Sequence, residues 1–165
     1  MPSKRKTLKQ KQKSEPKRTR KTIKNEKNVK TQKQKLFITN KKKSHIVKIF
    51  IEMLHTIKLY HWKTRSYAQH KATDELYSKL NEQIDEFVEV LLGKDQSRIK
   101  MIEKRIDLLD ANNTREIKER IFEYREFLMD MNIWFDTSRD SDLLSIRDDI
   151  LANLNQFLYL LTFDK

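Results

Sequence analysis

Four side chains in the middle of the chain have the types and the spacing of metal ligands. His70 and Asp74 are four residues apart, and Asp85 and Glu89 repeat that spacing further along. Residues four apart project from the same face of an α-helix, so each pair could hold one cation. Imidazole combined with carboxylate suits iron, manganese or zinc, and carboxylate-rich sites favour the harder ions. His61, on the apolar stripe of the preceding segment, is a further candidate for chemistry.

The distance between the two pairs limits how they can act together. Asp74 and Asp85 are eleven residues apart, which is about 16 Å along a helix at about 1.5 Å per residue. They therefore cannot bind the same ion within one chain. Either each chain has two separate sites, or a two-fold axis sets the His70 end of one helix against the Glu89 end of a second copy. An isologous dimer of the second kind would contain two equivalent sites.

Four helices must position these side chains, because apolar residues recur at three- and four-residue spacing in four segments. Ser66 is a suitable N-cap for the second helix, which we expect to end at Leu92. Gly93 is then expected in the left-handed conformation that ends many helices. Asn113 can cap the third helix. The other predicted bounds are about 44–64 for the first helix, about 113–135 for the third and about 141–161 for the fourth.

The connections and the composition predict the fold class. The first and second helices, and the third and fourth, are joined by a few residues, so each pair is expected to form an antiparallel hairpin. About 20 residues, 93–112, join the hairpins, a length that suits a crossover along a bundle. We therefore predict an all-α, ferritin-like four-helix bundle over 44–165. One Gly, two Pro and no Cys exclude a phosphate-binding glycine loop and any thiolate metal site.

The N-terminal segment 1–43 differs sharply in charge from the remainder. It contains 18 Lys and Arg against two acids, whereas 44–165 carries a net charge of −4. A segment with so few large apolar residues is typical of disorder, and its cations suit sequence-independent binding to nucleic-acid phosphates. A solubilising arm or a nuclear import signal is the alternative. The cations in its basic runs are Lys4, Arg5, Lys6, Lys17, Arg18, Arg20, Lys21, Lys41, Lys42 and Lys43.

No stretch has the apolar length that a membrane span needs, and no signal-peptide core is present. These features predict a soluble, intracellular protein of the cytoplasm, nucleoid or nucleus, with no membrane partner.

The spacing of the candidate ligands resembles that of a known family. The pair His61-Trp62 and the intervals of four, eleven and four from His70 onward resemble the metal-site signature of the Dps-type miniferritins, a DNA-protecting branch of the ferritin-like superfamily. The runs at 61–67 and 143–149 also resemble small ferritin-like proteins encoded by large DNA viruses and tailed phages.

The resemblance implies a function and an assembly. It implies that His61, His70 and Asp74 of one chain bind iron together with Asp85 and Glu89 of another, at a dimer two-fold axis. Dioxygen or peroxide would oxidise ferrous iron there, in a homo-oligomer that is at least a dimer and in the family a dodecamer. The basic tail would bind DNA, and the relatives in viruses extend the expected location to the virion.

Two other functions remain open. The first is a non-enzymatic nucleic-acid packaging or virion-core protein that keeps the bundle and uses the tail. The second is an interaction adaptor whose tail is only a targeting signal. At the level of single residues, a histidine on an apolar stripe such as His61 is often a satisfied core residue, and acid pairs such as Glu82 and Glu86 are usually solvated.

Overall fold

The computed structural model describes residues 38–163, and within that range the regular structure is entirely helical. The all-α class is therefore confirmed for these residues. The predicted contacts of Lys4 through Lys21 with nucleic acid lie outside them. The helices are α1 (Asn40–Lys63), α2 (Tyr67–Gly93), α3 (Thr114–Asp130) and α4 (Ser141–Leu160), with a 3-10 turn at Met131–Ile133.

Side-chain caps set the starts of three helices. The Ser66 hydroxyl accepts a hydrogen bond from the Gln69 amide at 3.2 Å, and Asn113 caps α3 in the same way. Both caps were predicted. Helix α1 begins at Asn40, four residues before the predicted start, because Thr39 caps it. Lys41, Lys42 and Lys43 therefore belong to the first turn of α1 rather than to a tail.

Two helix ends differ from the predictions. Gly93 is the last residue of α2 and does not have a positive φ; the left-handed position falls instead on Gln96, with φ 54°. Helix α3 ends at Asp130 rather than near Phe135, because the chain tightens into a 3-10 turn that begins with the buried Met131.

Hydrogen bonds at the helix ends define how the bundle is connected. At one end, the Tyr60 hydroxyl donates to Gln69 Oε1 at 2.6 Å and lies 3.4 Å from Thr114 Oγ1, which joins the end of α1 to the starts of α2 and α3. At the other end, the Nζ atom of Lys94, the residue that follows α2, lies 2.8 Å from Oδ1 of Asp142 at the start of α4. Helices α2 and α3 therefore run in the same direction, opposite to α1 and α4.

The connection between α2 and α3 runs along α1. Near the start of α1, the Ser44 hydroxyl accepts a hydrogen bond from the Ile102 amide at 2.8 Å. Halfway along α1, the buried Glu52 accepts one from the Asp107 amide at 3.0 Å. At the end of α1, Lys63 donates to Asp110 at 2.6 Å. The segment therefore crosses the length of the bundle.

The core lies where the apolar stripes of the helices meet. The rings of Phe50 and Phe87 pack edge to face with centroids 5.2 Å apart. The largest fully buried side chains are Phe50, Phe87, Phe157, Ile46, Met53, Ile57, Leu80, Ile117, Ile121, Leu128, Met131 and Leu143.

None of the helices in residues 38–163 is long and apolar enough to cross a membrane.

Candidate metal centre

The three-residue turn between α1 and α2 brings two histidines face to face. His61 lies in the last turn of α1 and His70 in the first turn of α2. Their rings stack with centroids 3.9 Å apart and planes 24° apart. His61 is buried whereas His70 is exposed, so the pair extends from the edge of the core to the surface.

Each histidine is held by the backbone of the other. His61 Nδ1 lies 3.0 Å from the His70 carbonyl oxygen, and His70 Nδ1 lies 3.1 Å from the His61 carbonyl oxygen. A carbonyl oxygen only accepts hydrogen bonds, so we assign the proton to Nδ1 in both rings. In the neutral tautomer this leaves the lone pair of each Nε2 available. Fixing one ring nitrogen by hydrogen bonding, so that the other can bind a metal, is the usual arrangement of histidine ligands.

Thr73 supports this pair from the core side. Its hydroxyl is fully buried and lies 3.2 Å from His61 Nδ1. The hydroxyl proton is directed to the Gln69 carbonyl at 2.8 Å or the His70 carbonyl at 3.0 Å. The oxygen can therefore accept a hydrogen bond from His61 and help to fix the orientation of its ring.

Asp74 is the third predicted ligand that the fold brings to this place. Its Oδ1 lies 3.9 Å from His61 Nε2, and its side chain is 56% exposed. The same oxygen lies 3.8 Å from the ammonium of Lys58 on α1. The structure thus places His61 against both His70 and Asp74, with one carboxylate oxygen beside the available nitrogen.

Asp85 and Glu89 lie further along α2 and are exposed, and their side chains form no hydrogen bond or ion pair within residues 38–163. Asp85 is eleven residues from Asp74, so the helix rise separates them by about 16 Å. Over the same described range, no three His, Asp or Glu side chains converge closely enough to hold a metal ion. The five predicted ligands therefore form two separate groups in one chain.

Two residues beside the histidines were not predicted as part of the site. Thr73 and Lys58 each lie three residues from a predicted ligand, on the same helix face as that ligand. Helical spacing could have suggested both, because residues three apart are neighbours on a helix.

The lysines at the start of α1 have different environments. Lys41 is exposed, whereas the Lys42 ammonium lies 3.7 Å from the ring centroid of Trp134. Lys43 is buried, forms an ion pair with Asp95 and donates a hydrogen bond to Ser97 at 2.8 Å. The prediction that Lys43 is a free cation for phosphate contact is therefore wrong, because its ammonium is already used within the fold.

A family model matches residues 61–161, which include all five candidate ligands and begin at His61. It describes a family of unknown function (DUF5856). The chain belongs to this family. No curated protein and no solved structure matches the chain.

Proposed function

We propose that two copies of this chain pack α2 against α2 about a two-fold axis and bind ferrous iron between them. His61, His70 and Asp74 of one copy would hold the ion together with Asp85 and Glu89 of the other. The observation that carries this proposal is the reciprocal hydrogen bonding of the two histidines, which leaves both Nε2 atoms available, with that of His61 beside the Asp74 carboxylate.

The two-fold arrangement follows from where the two groups lie on α2. One group is near the start of the helix and the other is about three-quarters of the way along it, so an antiparallel copy sets each group against the other. An isologous interface repeats this contact and completes two sites. The side chains of Asp85 and Glu89 are exposed and have no hydrogen-bond or ion-pair partner in residues 38–163, as expected of ligands that act on a second chain.

Exposed aromatic residues support an interface at this end of the bundle. Trp62 is 71% exposed and Tyr67 is 75% exposed, and each lies near one end of the turn between α1 and α2, beside the histidine pair. Large aromatic side chains are enriched at protein interfaces and depleted elsewhere on surfaces. A second copy over α2 would cover part of this apolar area.

The ligand set and the connectivity favour iron as the substrate. Two imidazoles with three carboxylates suit ferrous iron, and the carboxylates favour the harder ferric product; manganese and zinc fit the same donors. The two hairpins joined by a long crossover agree with the ferritin-like arrangement that the sequence resembles. In the overall reaction, two ferrous ions give two electrons to one hydrogen peroxide, which takes up two protons and becomes two water molecules. The side chains of the chain bind and orient the ions.

The N-terminal segment would add nucleic-acid binding. Its basic residues would release counterions from phosphates, so the chain that consumes peroxide would also bind nucleic acid. A nucleoid or virion location and a shell of twelve subunits are part of this proposal. Replacing the seven cations Lys4, Arg5, Lys6, Lys17, Arg18, Arg20 and Lys21 by Gln should reduce the dependence of duplex-DNA affinity on salt. Affinity that is unchanged would contradict this part of the proposal.

The oxidation step is tested on the full-length protein by following ferric absorbance after ferrous iron is added with peroxide or dioxygen. The variant Asp85→Asn/Glu89→Gln should lose the reaction. A matched control is Glu119→Gln/Glu123→Gln, an exposed acid pair with the same spacing on α3, and it should oxidise iron like the wild type. A wild-type rate no faster than buffer would exclude oxidation and favour the non-enzymatic packaging function.

A further inference from the structure

A lysine lies beside the candidate metal ligands. Lys58 is on α1, three residues before His61, and its side chain is 29% exposed. Its ammonium is 3.8 Å from Asp74 Oδ1, 4.7 Å from the ring centroid of Tyr77 and 5.9 Å from that of Trp62. The ammonium therefore has one carboxylate and two aromatic faces as neighbours.

One oxygen of Asp74 lies close to both the Lys58 ammonium and His61 Nε2. The oxygen that lies 3.8 Å from the Lys58 ammonium is the same oxygen that lies 3.9 Å from His61 Nε2. A metal ion held by His61 and Asp74 would need this oxygen. It would also lie within a few ångströms of a fixed positive charge, which repels it.

We propose that Lys58 is a positioning residue that acts as a built-in counter-cation of Asp74 and limits the affinity of the site for divalent metal ions. This inference rests on the metal site of the proposed function. With Asp85 and Glu89 of a second copy, the site would contain three carboxylates and one ammonium. Its net charge of −2 matches one divalent ion. Without Lys58 the excess negative charge would attract a divalent ion more strongly.

The aromatic rings give the ammonium a place to remain when Asp74 binds metal. Tyr77 lies on α2, three residues after Asp74, and Trp62 lies on α1, four residues after Lys58. Attraction between a cation and the face of an aromatic ring holds charged groups at such distances. Lys58 therefore stays near the site, and its charge acts on the bound ion as well as on the empty site.

Zinc binding to the full-length protein tests the inference, because Zn²⁺ suits these ligands and undergoes no redox reaction. Titration calorimetry would compare the wild type with Lys58→Met, and the loss of binding in His61→Ala/His70→Ala would identify the titrated site. We expect Lys58→Met to bind Zn²⁺ about tenfold more tightly at low salt, as removal of one nearby charge predicts. The difference should shrink as salt is added.

Two further variants serve as controls. Lys58→Arg keeps the charge and should bind Zn²⁺ like the wild type. Lys79→Met removes a lysine that forms an ion pair with Glu75 and donates to Gln156, on the opposite side of α2 from Asp74. It should also bind Zn²⁺ like the wild type. Lys58→Gln replaces Lys58→Met if the methionine variant aggregates, with helicity checked by circular dichroism.

The outcomes separate the inference from the proposed function. If neither the wild type nor Lys58→Met binds Zn²⁺, the metal site itself is excluded and the inference is overturned with it. If the wild type binds but Lys58→Met binds equally or more weakly, the role of Lys58 is overturned and the metal site stands. Tighter binding that does not depend on salt would also overturn it, because a charge effect is screened by ions.

Discussion

His61 and His70 hold each other's rings: each Nδ1 lies within 3.1 Å of the carbonyl oxygen of the other residue, and the rings stack 3.9 Å apart. Two residues on different helices thereby fix the same tautomer in one another. The arrangement needs the short turn between α1 and α2, because only a tight hairpin brings both backbones and both rings together. The two available Nε2 atoms are its chemical consequence.

The Thr73 hydroxyl should matter for metal binding as well as for stability. Replacing Thr73 by Val removes the acceptor 3.2 Å from His61 Nδ1 and keeps the shape of the side chain. Loss of such a supporting contact typically lowers metal affinity about 10-fold to 100-fold. Unfolding in urea should show that the free energy of unfolding falls by about 1 kcal/mol.

Thr56→Val is the matched control for Thr73→Val. Thr56 is equally buried, and its hydroxyl accepts a hydrogen bond from Tyr124 at 3.0 Å, away from the histidines. We expect a similar loss of stability with unchanged Zn²⁺ affinity. Equal Zn²⁺ affinities in the two valine variants would show that Thr73 does not orient His61.

Tyr124 should make the fold sensitive to alkaline pH. Burial raises the pKa of its hydroxyl to about 12, from an ordinary value of 10.0. Between these values the unfolded chain has lost the proton and the folded chain keeps it, so stability falls as the pH rises. At pH 11 the loss from this residue should be about 1.4 kcal/mol.

Urea unfolding of the wild type and Tyr124→Phe from pH 8 to pH 11 measures this effect, because the titration of other groups is common to both. The stability of the wild type should fall more steeply above pH 10 than that of the phenylalanine variant. Parallel curves would mean that Tyr124 ionises as freely in the folded protein as in the unfolded chain.

The sequence predicts helices better than it predicts their partners. Ser66 and Asn113 mark the starts of α2 and α3 because a capping hydroxyl or amide acts on its own neighbours. The earlier start of α1 was missed because Thr39 precedes a run of lysines with no apolar periodicity. The left-handed backbone conformation occurs at Gln96 rather than at Gly93, since the path of the crossover decides where the chain turns.

Part of the candidate site could be predicted from the sequence, and part could not. The grouping of His61 with His70 and Asp74 was implied by the resemblance to a known metal-site signature, and the short turn between two helices brings these residues together. Helical spacing places Lys58 and Thr73 beside His61 and His70, but the contacts of Lys58 with Asp74 and of Thr73 with His61 depend on how two helices pack, which periodicity alone does not give. The neighbouring sequence does not show which lysine of the run Lys41 to Lys43 pairs with Asp95, because Asp95 is 52 residues away from Lys43. The relation of Asp85 and Glu89 to a second copy stays a prediction.

Lys43 should contribute to stability rather than to nucleic-acid binding. Lys43→Ala leaves Asp95 without its main partner, and we expect a loss of about 2 kcal/mol in the free energy of unfolding. The exposed Lys41 is the control, and Lys41→Ala should change stability by less than about 0.5 kcal/mol. Equal effects of the two substitutions would contradict the assigned role of Lys43.

The pH dependence of the Lys43→Ala effect has a definite sign. Burial raises the pKa of Asp95, but hydrogen bonds from Lys43 and Ser97 outweigh it and hold the pKa below its ordinary value. The stabilisation that comes from ionised Asp95 is therefore present above the pKa of this carboxyl in the unfolded chain, about 3.9. It is lost as the pH falls through the lower pKa in the folded protein. The stability difference between wild type and Lys43→Ala should narrow below about pH 4. A difference that widens in acid would contradict this account.

Complementation between two inactive variants tests most directly whether the metal site is shared by two chains. His61→Ala/His70→Ala would be co-expressed in equal amounts with Asp85→Asn/Glu89→Gln, and the rate of ferrous iron oxidation per chain would be measured. In a mixed two-fold pair, one site carries all the substitutions and the other carries none. Random pairing should therefore restore about a quarter of the wild-type rate. A mixture as inactive as either variant alone, beside an active wild type, would contradict a site shared between two copies.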